Sequence, residues 1–191
     1  GRLVSLHGHR LPFNRGGLAG YSWDVMDHQS TGGCTIHLIS PGLNTGDIVA
    51  KAEFLYPDWC KKPTDYQTFA ISKGTSLLTE FLGHIDVGKE FQLANQIDHE
   101  SRYWPQLNTK ANGFIDWTWT LDQIESFIRA FDDPYIGAST FINGQRVYFK
   151  DSSTFHQDGN FHPFKTGIIY RKIEGKLFVA TREGGLVIET I

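Results

Sequence analysis

The sequence predicts an α/β domain followed by a small β-barrel domain, and three observations carry that prediction. Over residues 1 to about 88, short apolar strands alternate with helical stretches, the pattern of a layered α/β architecture. Residues 97–119 then turn polar and aromatic and include Pro105 and Gly113, as a connector lying against a surface would. Beyond Ser139 the chain is strand and turn throughout, with about five strands at a spacing that suits a small barrel. The expected division is 1–96 for the first domain, 97–119 for the connector and 120–191 for the second domain.

Each element has a local reason. Leu3-Val4-Ser5-Leu6 is the first strand, and Tyr21 to Met26 forms a short helix entered from the glycine-rich loop Arg15 to Gly20. Gly32-Gly33 precede a second strand, Cys34 to Ile39, and Ile48-Val49-Ala50 with Glu53-Phe54-Leu55 make a third. Thr64-Asp65-Tyr66-Gln67 has the form of a capping box behind Pro63. It starts a long helix whose Phe69, Leu77, Leu78, Phe81 and Leu82 form a core stripe, with Gly83 as its stop. A second box, Thr120 to Gln123, starts a helix with Ile124, Phe127, Ile128 and Phe131 on one face, ended by Asp132-Asp133-Pro134. Asn143-Gly144, Glu174-Gly175 and Gly184-Gly185 are expected as the turns between the last strands.

Composition narrows the function. The chain has 191 residues, 40% of them hydrophobic, enough for one sizeable core or two modest ones. No apolar run approaches the ~20 residues a bilayer span needs, and the opening residues lack the pattern of a secretory signal; a cytoplasmic protein with no membrane partner is expected. Cys34 and Cys60 stand far apart without a CxxC spacing, so both read as reduced, buried thiols. The net charge is −3, and basic residues cluster only as the pairs Lys61-Lys62 and Arg171-Lys172. A long polyanion is therefore not the obvious partner, while a short phosphate-bearing ligand stays open.

The stretch VSLHGHRLPFNRGG, residues 4–17, holds the chemistry. Ser5 and His7 project to the same face of a strand at its carboxyl end, where open α/β sheets bind ligands. Three readings of the histidines stand side by side: a catalytic His7, a histidine hydrogen-bonded in a turn, and a metal shared by His7, His9 and His37. No acidic or cysteine ligand is spaced to complete a metal set, so no metal is expected. The loop from Arg15 to Gly20 lets backbone approach a ligand closely but matches no phosphate-binding fingerprint.

Taken together, SLHGHRLPFNRGG, SWDVM and GCTIHLISPGLNTGDIVAKAEF resemble the 10-formyltetrahydrofolate-dependent formyltransferase family. That family carries an Asn-x-His strand end, an LLP-x-x-RG loop, a Trp-containing helix, a G-x-T-I-H strand and a D-T-G-D-I turn. The segment YWPQLNTKANGFIDWTWTLDQIESFIRAFDDPYIGA resembles the start of the family's C-terminal domain. The resemblance implies the C-terminal half of a Rossmann-like catalytic domain followed by an OB-like barrel, with an upstream half of about 80 to 100 residues expected.

It further implies 10-formyltetrahydrofolate as co-substrate and formyl transfer to an amine. The family's catalytic histidine falls on His7, its catalytic asparagine on Ser5 and its catalytic aspartate on Asn44; folate-binding positions fall on Leu11, Pro12, Gly42, Leu43, Thr45 and Gly46. Asp47 lies past the catalytic position. The HGxRLPxxRGG form of the loop and the modest charge favour a nucleotide-linked amino sugar or other small amine as acceptor. Methionyl-tRNA is the alternative acceptor, and a catalytically silent homologue that binds or assembles is a third reading. A homodimer is compatible with the barrel domain.

Overall fold

The computed structural model describes residues 3–16 and 20–191, so Gly17, Leu18 and Ala19 of the glycine-rich loop lie outside the described residues. The chain forms two compact units. One comprises residues 1–20, 29–60 and 65–106, the other 21–28, 61–64 and 107–191. No helix among the described residues is long and apolar enough to cross a membrane.

The first unit is built on a three-stranded sheet in the order β1-β3-β4, from β1 (Val4–His7), β3 (Thr31–Leu38) and β4 (Ile48–Leu55). Both pairings are antiparallel, whereas a Rossmann-like unit leads one to expect parallel strands. Parallel pairing needs a long crossover, and only nine residues separate β3 from β4. The third strand also runs unbroken from Ile48 to Leu55. A separate parallel pair joins β2 (Arg15–Gly16) to β5 (Tyr103–Trp104), so the stretch expected as a connector contributes a strand to this unit. One face of β3 supplies Cys34 and Ile36 to a core with Leu77 and Phe81 of α2 (Pro63–Asp86). Both cysteines are free and buried.

Helix α2 corrects three expectations. It begins at Pro63, which suits the first helical position because its missing N–H costs nothing there. Thr64 is thus the second residue of the helix, and its hydroxyl donates to the Asp133 carbonyl. The helix passes Gly83 and ends at a Schellman motif: Gly88 has φ +70°, its N–H meets the Ile85 carbonyl, and the Lys89 N–H meets the His84 carbonyl. Of the proposed stripe, Leu77 and Phe81 are buried while Leu78 and Leu82 are exposed, because each lies about 100° around the helix from the buried row.

The second unit contains α1 (Gly20–Met26), apart from Gly20 itself, and α3 (Thr109–Asn112), which the connector reading did not foresee. Helix α4 (Leu121–Ala130) begins at Thr120 with the reciprocal capping box expected. It buries Ile124, Phe127 and Ile128, and Phe131 at its end is buried with them. These residues pack on an antiparallel sheet of β6 (Ala138–Ile142), β7 (Gln145–Phe155), β8 (Ile169–Ile173), β9 (Lys176–Thr181) and β10 (Gly184–Thr190). The order is β6-β7-β10-β9-β8, with β6 and β8 at the edges and no pairing between them to close the OB-like barrel expected.

Strand β7 changes partner halfway. Residues 145–149 pair with β6 and residues 150–155 with β10. At the change Asp151 has φ +49° and its N–H goes to the buried Asp132 carboxylate. The Asn143-Gly144 and Glu174-Gly175 turns form as read, but the last turn is Arg182-Glu183, with both glycines inside β10.

Candidate active site

In the β1–β3 register Ser5 lies opposite His37 and His7 opposite Thr35. Directly paired residues share a face, as do residues two apart, so Ser5, His7, Thr35 and His37 line one side of the sheet while Cys34 and Ile36 enter the core on the other. Strand β3 is thus buried on both faces, the side away from the core being covered by the turn that follows His7. Thr35 holds that turn. Its hydroxyl donates to the His9 carbonyl at 3.0 Å and accepts the Leu11 N–H at 3.2 Å. Leu11 and Pro12 are buried beneath it. The absence of a side chain at Gly20 accommodates the His9 ring, which a Cβ there would meet at 2.3 Å.

The His7 ring lies 5.7 Å from the His9 ring and 6.5 Å from the His37 ring, centre to centre. Its Nε2 is 2.8 Å from the Asn14 carbonyl. A carbonyl only accepts, so Nε2 carries the hydrogen and Nδ1 keeps its lone pair. Burial lowers the pKa of His7 to about 4; the Asn14 bond opposes this, and His9 and His37 add to it. His7 is therefore neutral at physiological pH. Nδ1 of His37 donates to the Leu38 carbonyl at 2.8 Å, which leaves its buried Nε2 as an acceptor with no protein partner. Among the described residues no group of three His, Cys, Asp or Glu side chains is placed to hold a metal ion.

The second loop of the site joins β3 to β4. Asn44 sits at φ +54°, a left-handed conformation that asparagine tolerates better than most residues. Its Nδ2 donates to the Gly16 carbonyl at 3.3 Å. The hydroxyls of Ser40 and Thr45 are 2.7 Å apart, and Gly42 packs so tightly on Thr45 that a Cβ would meet Oγ1 at 2.4 Å. Gly46 is tighter still, with a Cβ position only 1.8 Å from the Leu38 carbonyl oxygen. Leu43 projects outward and is exposed. The Asp47 carbonyl accepts the Leu38 N–H at 2.9 Å, which holds Asp47 beyond the turn.

His7 and Asn44 are brought together through the short segment 14–16, His7 bonding the carbonyl of Asn14 and Asn44 that of Gly16. Sequence reasoning missed Thr35, Arg15 and Gln96. Thr35 could have been found, since a threonine paired opposite the last residue of β1 on a doubly buried strand must place its hydroxyl. Gln96 lies in a stretch without regular periodicity and left no signal.

Residues 108–191 match the model of the formyl transferase C-terminal domain. The methionyl-tRNA formyltransferase of Ruminiclostridium cellulolyticum is 31% identical over 144 residues, 75% of this chain and 45% of that protein. Other methionyl-tRNA formyltransferases align over as much as 98% of the chain. The chain spans about half the length of the curated relatives it matches. Among solved structures, HypX from Aquifex aeolicus in complex with tetrahydrofolic acid has a similar fold, with TM-score 0.73 at 19% identity over 98% of this chain and 31% of that one. An N-formyltransferase from Helicobacter canadensis, in complex with folinic acid and dTDP-3-aminofucose, gives TM-score 0.70 at 19% identity over 97% of this chain and 65% of that one. At these identities the likeness concerns the fold.

Proposed function

We propose, from the premise that this chain belongs to the formyltransferase family, that it takes part in formyl transfer from 10-formyltetrahydrofolate to an amine. The observation that carries the reading is the convergence of a neutral, half-buried His7 and the Asn44 turn on one short backbone segment. Residues 1–96 supply the catalytic portion, 97–119 the connection and 120–191 the C-terminal domain. Leu11 and Pro12 on one loop, with Gly42, Leu43, Thr45 and Gly46 on the other, are the folate-binding positions. Solved relatives of similar fold are described with tetrahydrofolic acid and with folinic acid, which supports a reduced folate as co-substrate.

In the reaction the amine nitrogen attacks the formyl carbon, and charge develops on the formyl oxygen. The tetrahedral centre then collapses with loss of the folate N10, which takes a proton. A neutral imidazole suits the proton transfer: the Nε2–H is held by the Asn14 carbonyl, and the free lone pair on Nδ1 receives the proton the amine sheds. The Ser5 hydroxyl is a shorter donor than an amide on the same strand face. The acceptor we favour is the amino group of a nucleotide-linked amino sugar; the dTDP-3-aminofucose named with one structural neighbour supports it. Methionyl-tRNA is the second reading, favoured by the curated relatives. A family member that binds folate without turnover is the third, favoured by Asn44, whose amide cannot take a proton.

The test is formyl transfer by the 191-residue chain from 10-formyltetrahydrofolate to nucleotide-linked amino sugars, with initiator methionyl-tRNA in parallel. Transfer to a sugar that falls about 10²–10⁴-fold in His7→Ala, as loss of a positioned proton acceptor does, supports the proposal. Transfer to the tRNA alone selects the second reading. Folate binding without transfer to either, restored in Ser5→Asn/Asn44→Asp, selects the third. A rate unchanged in His7→Ala refutes the site.

A further inference from the structure

Gln96 lies in an irregular stretch between the Ile48–Ala94 bridge and the short helical turn of residues 98–100. Its side chain has all of its hydrogen-bonding capacity committed. Oε1 accepts from Nε and Nη2 of Arg15 at 3.2 and 3.1 Å. Nε2 donates to the carbonyls of Asn44 and Gly46 at 2.9 and 2.7 Å. Arg15 is fixed in turn by Nη1, 2.9 Å from the Asp98 carboxylate, and by its pairing in β2 with β5. The circuit closes where the Asn44 amide donates to the carbonyl of Gly16, the residue next to Arg15.

Resting on the reading that these loops border the folate site, we infer that Gln96 is a positioning residue that clasps the Asn44–Gly46 turn to the Arg15–Gly16 strand. A primary amide is the neutral side chain that offers two lone pairs and two N–H groups at one end, and all four are used. Glutamate could keep both bonds from Arg15 but could donate nothing to the turn. Leucine, of similar length, could do neither. The left-handed Asn44 needs such support, because a strained residue persists only where its surroundings over-determine it.

The experiment uses the whole chain with Gln96→Leu and Gln96→Glu, and reads amide hydrogen exchange without ligand and the affinity for folinic acid. In both variants the Ile48 and Ala94 amides, adjacent to the clasp, should exchange at least tenfold faster while amides in the middle of α2 keep their wild-type rates. Folinic acid should bind at least tenfold more weakly, while loss of the two donated bonds lowers the melting temperature by only about 4–8 °C. If Gln96→Glu keeps the wild-type exchange pattern, the two donated bonds do not hold the turn and the inference is overturned. It is also overturned if exchange in α2 rises equally, since Gln96 would then serve stability in general. If wild type fails to bind folinic acid while the variants still release the turn, the folate reading fails and the clasp stands.

Discussion

Replacing Gly46 by alanine would set a Cβ 1.8 Å from the Leu38 carbonyl oxygen, where real contacts are essentially never below 3.0 Å. The obstacle is backbone, so no rotamer relieves it, and the turn or β3 must move by about 1.2 Å. Forcing extra volume into a packed site costs about 1–3 kcal/mol. The displacement also works against the Leu38–Asp47 backbone bond and the Gln96–Gly46 bond, each contributing about 1 kcal/mol. The expected loss is about 3–5 kcal/mol. For a chain of this size each kcal/mol lowers Tm by about 2–4 °C, so thermal unfolding followed by circular dichroism should fall by roughly 6–20 °C. Folinic acid affinity should fall with it, since the turn carries the proposed folate contacts. A Gly46→Ala protein melting within 2 °C of wild type would show that the turn yields without cost and that its tightness does not position the site.

His7 is an ordinary imidazole when unfolded and is held to about 4 when folded, so its contribution is present above pH 6.5 and lost as pH falls toward 4; the loss is about 3 kcal/mol. His7→Gln should flatten that part of a stability-against-pH curve measured by urea unfolding, and an unchanged slope would contradict the assignment. Glu125 has the opposite sign. Burial raises its pKa to about 7 against the pull of Arg129, so stability is full below pH 4.5 and declines as pH rises toward 7, and Glu125→Gln should remove this decline. Thr120→Ala removes the hydroxyl that accepts the Gln123 N–H at 3.2 Å and should cost about 1 kcal/mol, with Thr120→Ser restoring most of it; no loss would mean that the box is not carrying the helix start.

What was legible in the sequence was mostly local. Thr120 to Gln123 capped its helix as read because both halves of that box lie within four residues. The Thr64 hydroxyl donates to the Asp133 carbonyl, almost seventy residues away, and no local rule anticipates such a partner. Strand direction in the first unit was not legible for the same reason: alternation of strands and helices indicates layers, while antiparallel pairing is decided by which strands meet. The barrel expectation counted strands correctly but not their closure, and the open order leaves β6 and β8 as edges. At the site, His7 and the Asn44 turn were readable as motifs, whereas the residues joining them were not, because hydrogen bonds across 50 to 80 residues of chain leave no periodicity.

The clearest tension lies at Asn44. Read against a family pattern with an aspartate at this point, asparagine is a loss of acidity; in the folded chain it is also a gain of a donor. Its Nδ2 reaches the Gly16 carbonyl, and a carboxylate in the same rotamer would place two acceptors about 3.3 Å apart with no hydrogen between them. Asparagine and aspartate pay a similar cost at left-handed φ, so backbone geometry does not decide between them. The hydrogen bond does. Asparagine closes the circuit through Gly16, Arg15 and Gln96, and an aspartate would have to turn its charge elsewhere. One position thus sets the order of two loops against the strength of a proton acceptor, and this chain carries the residue that favours order.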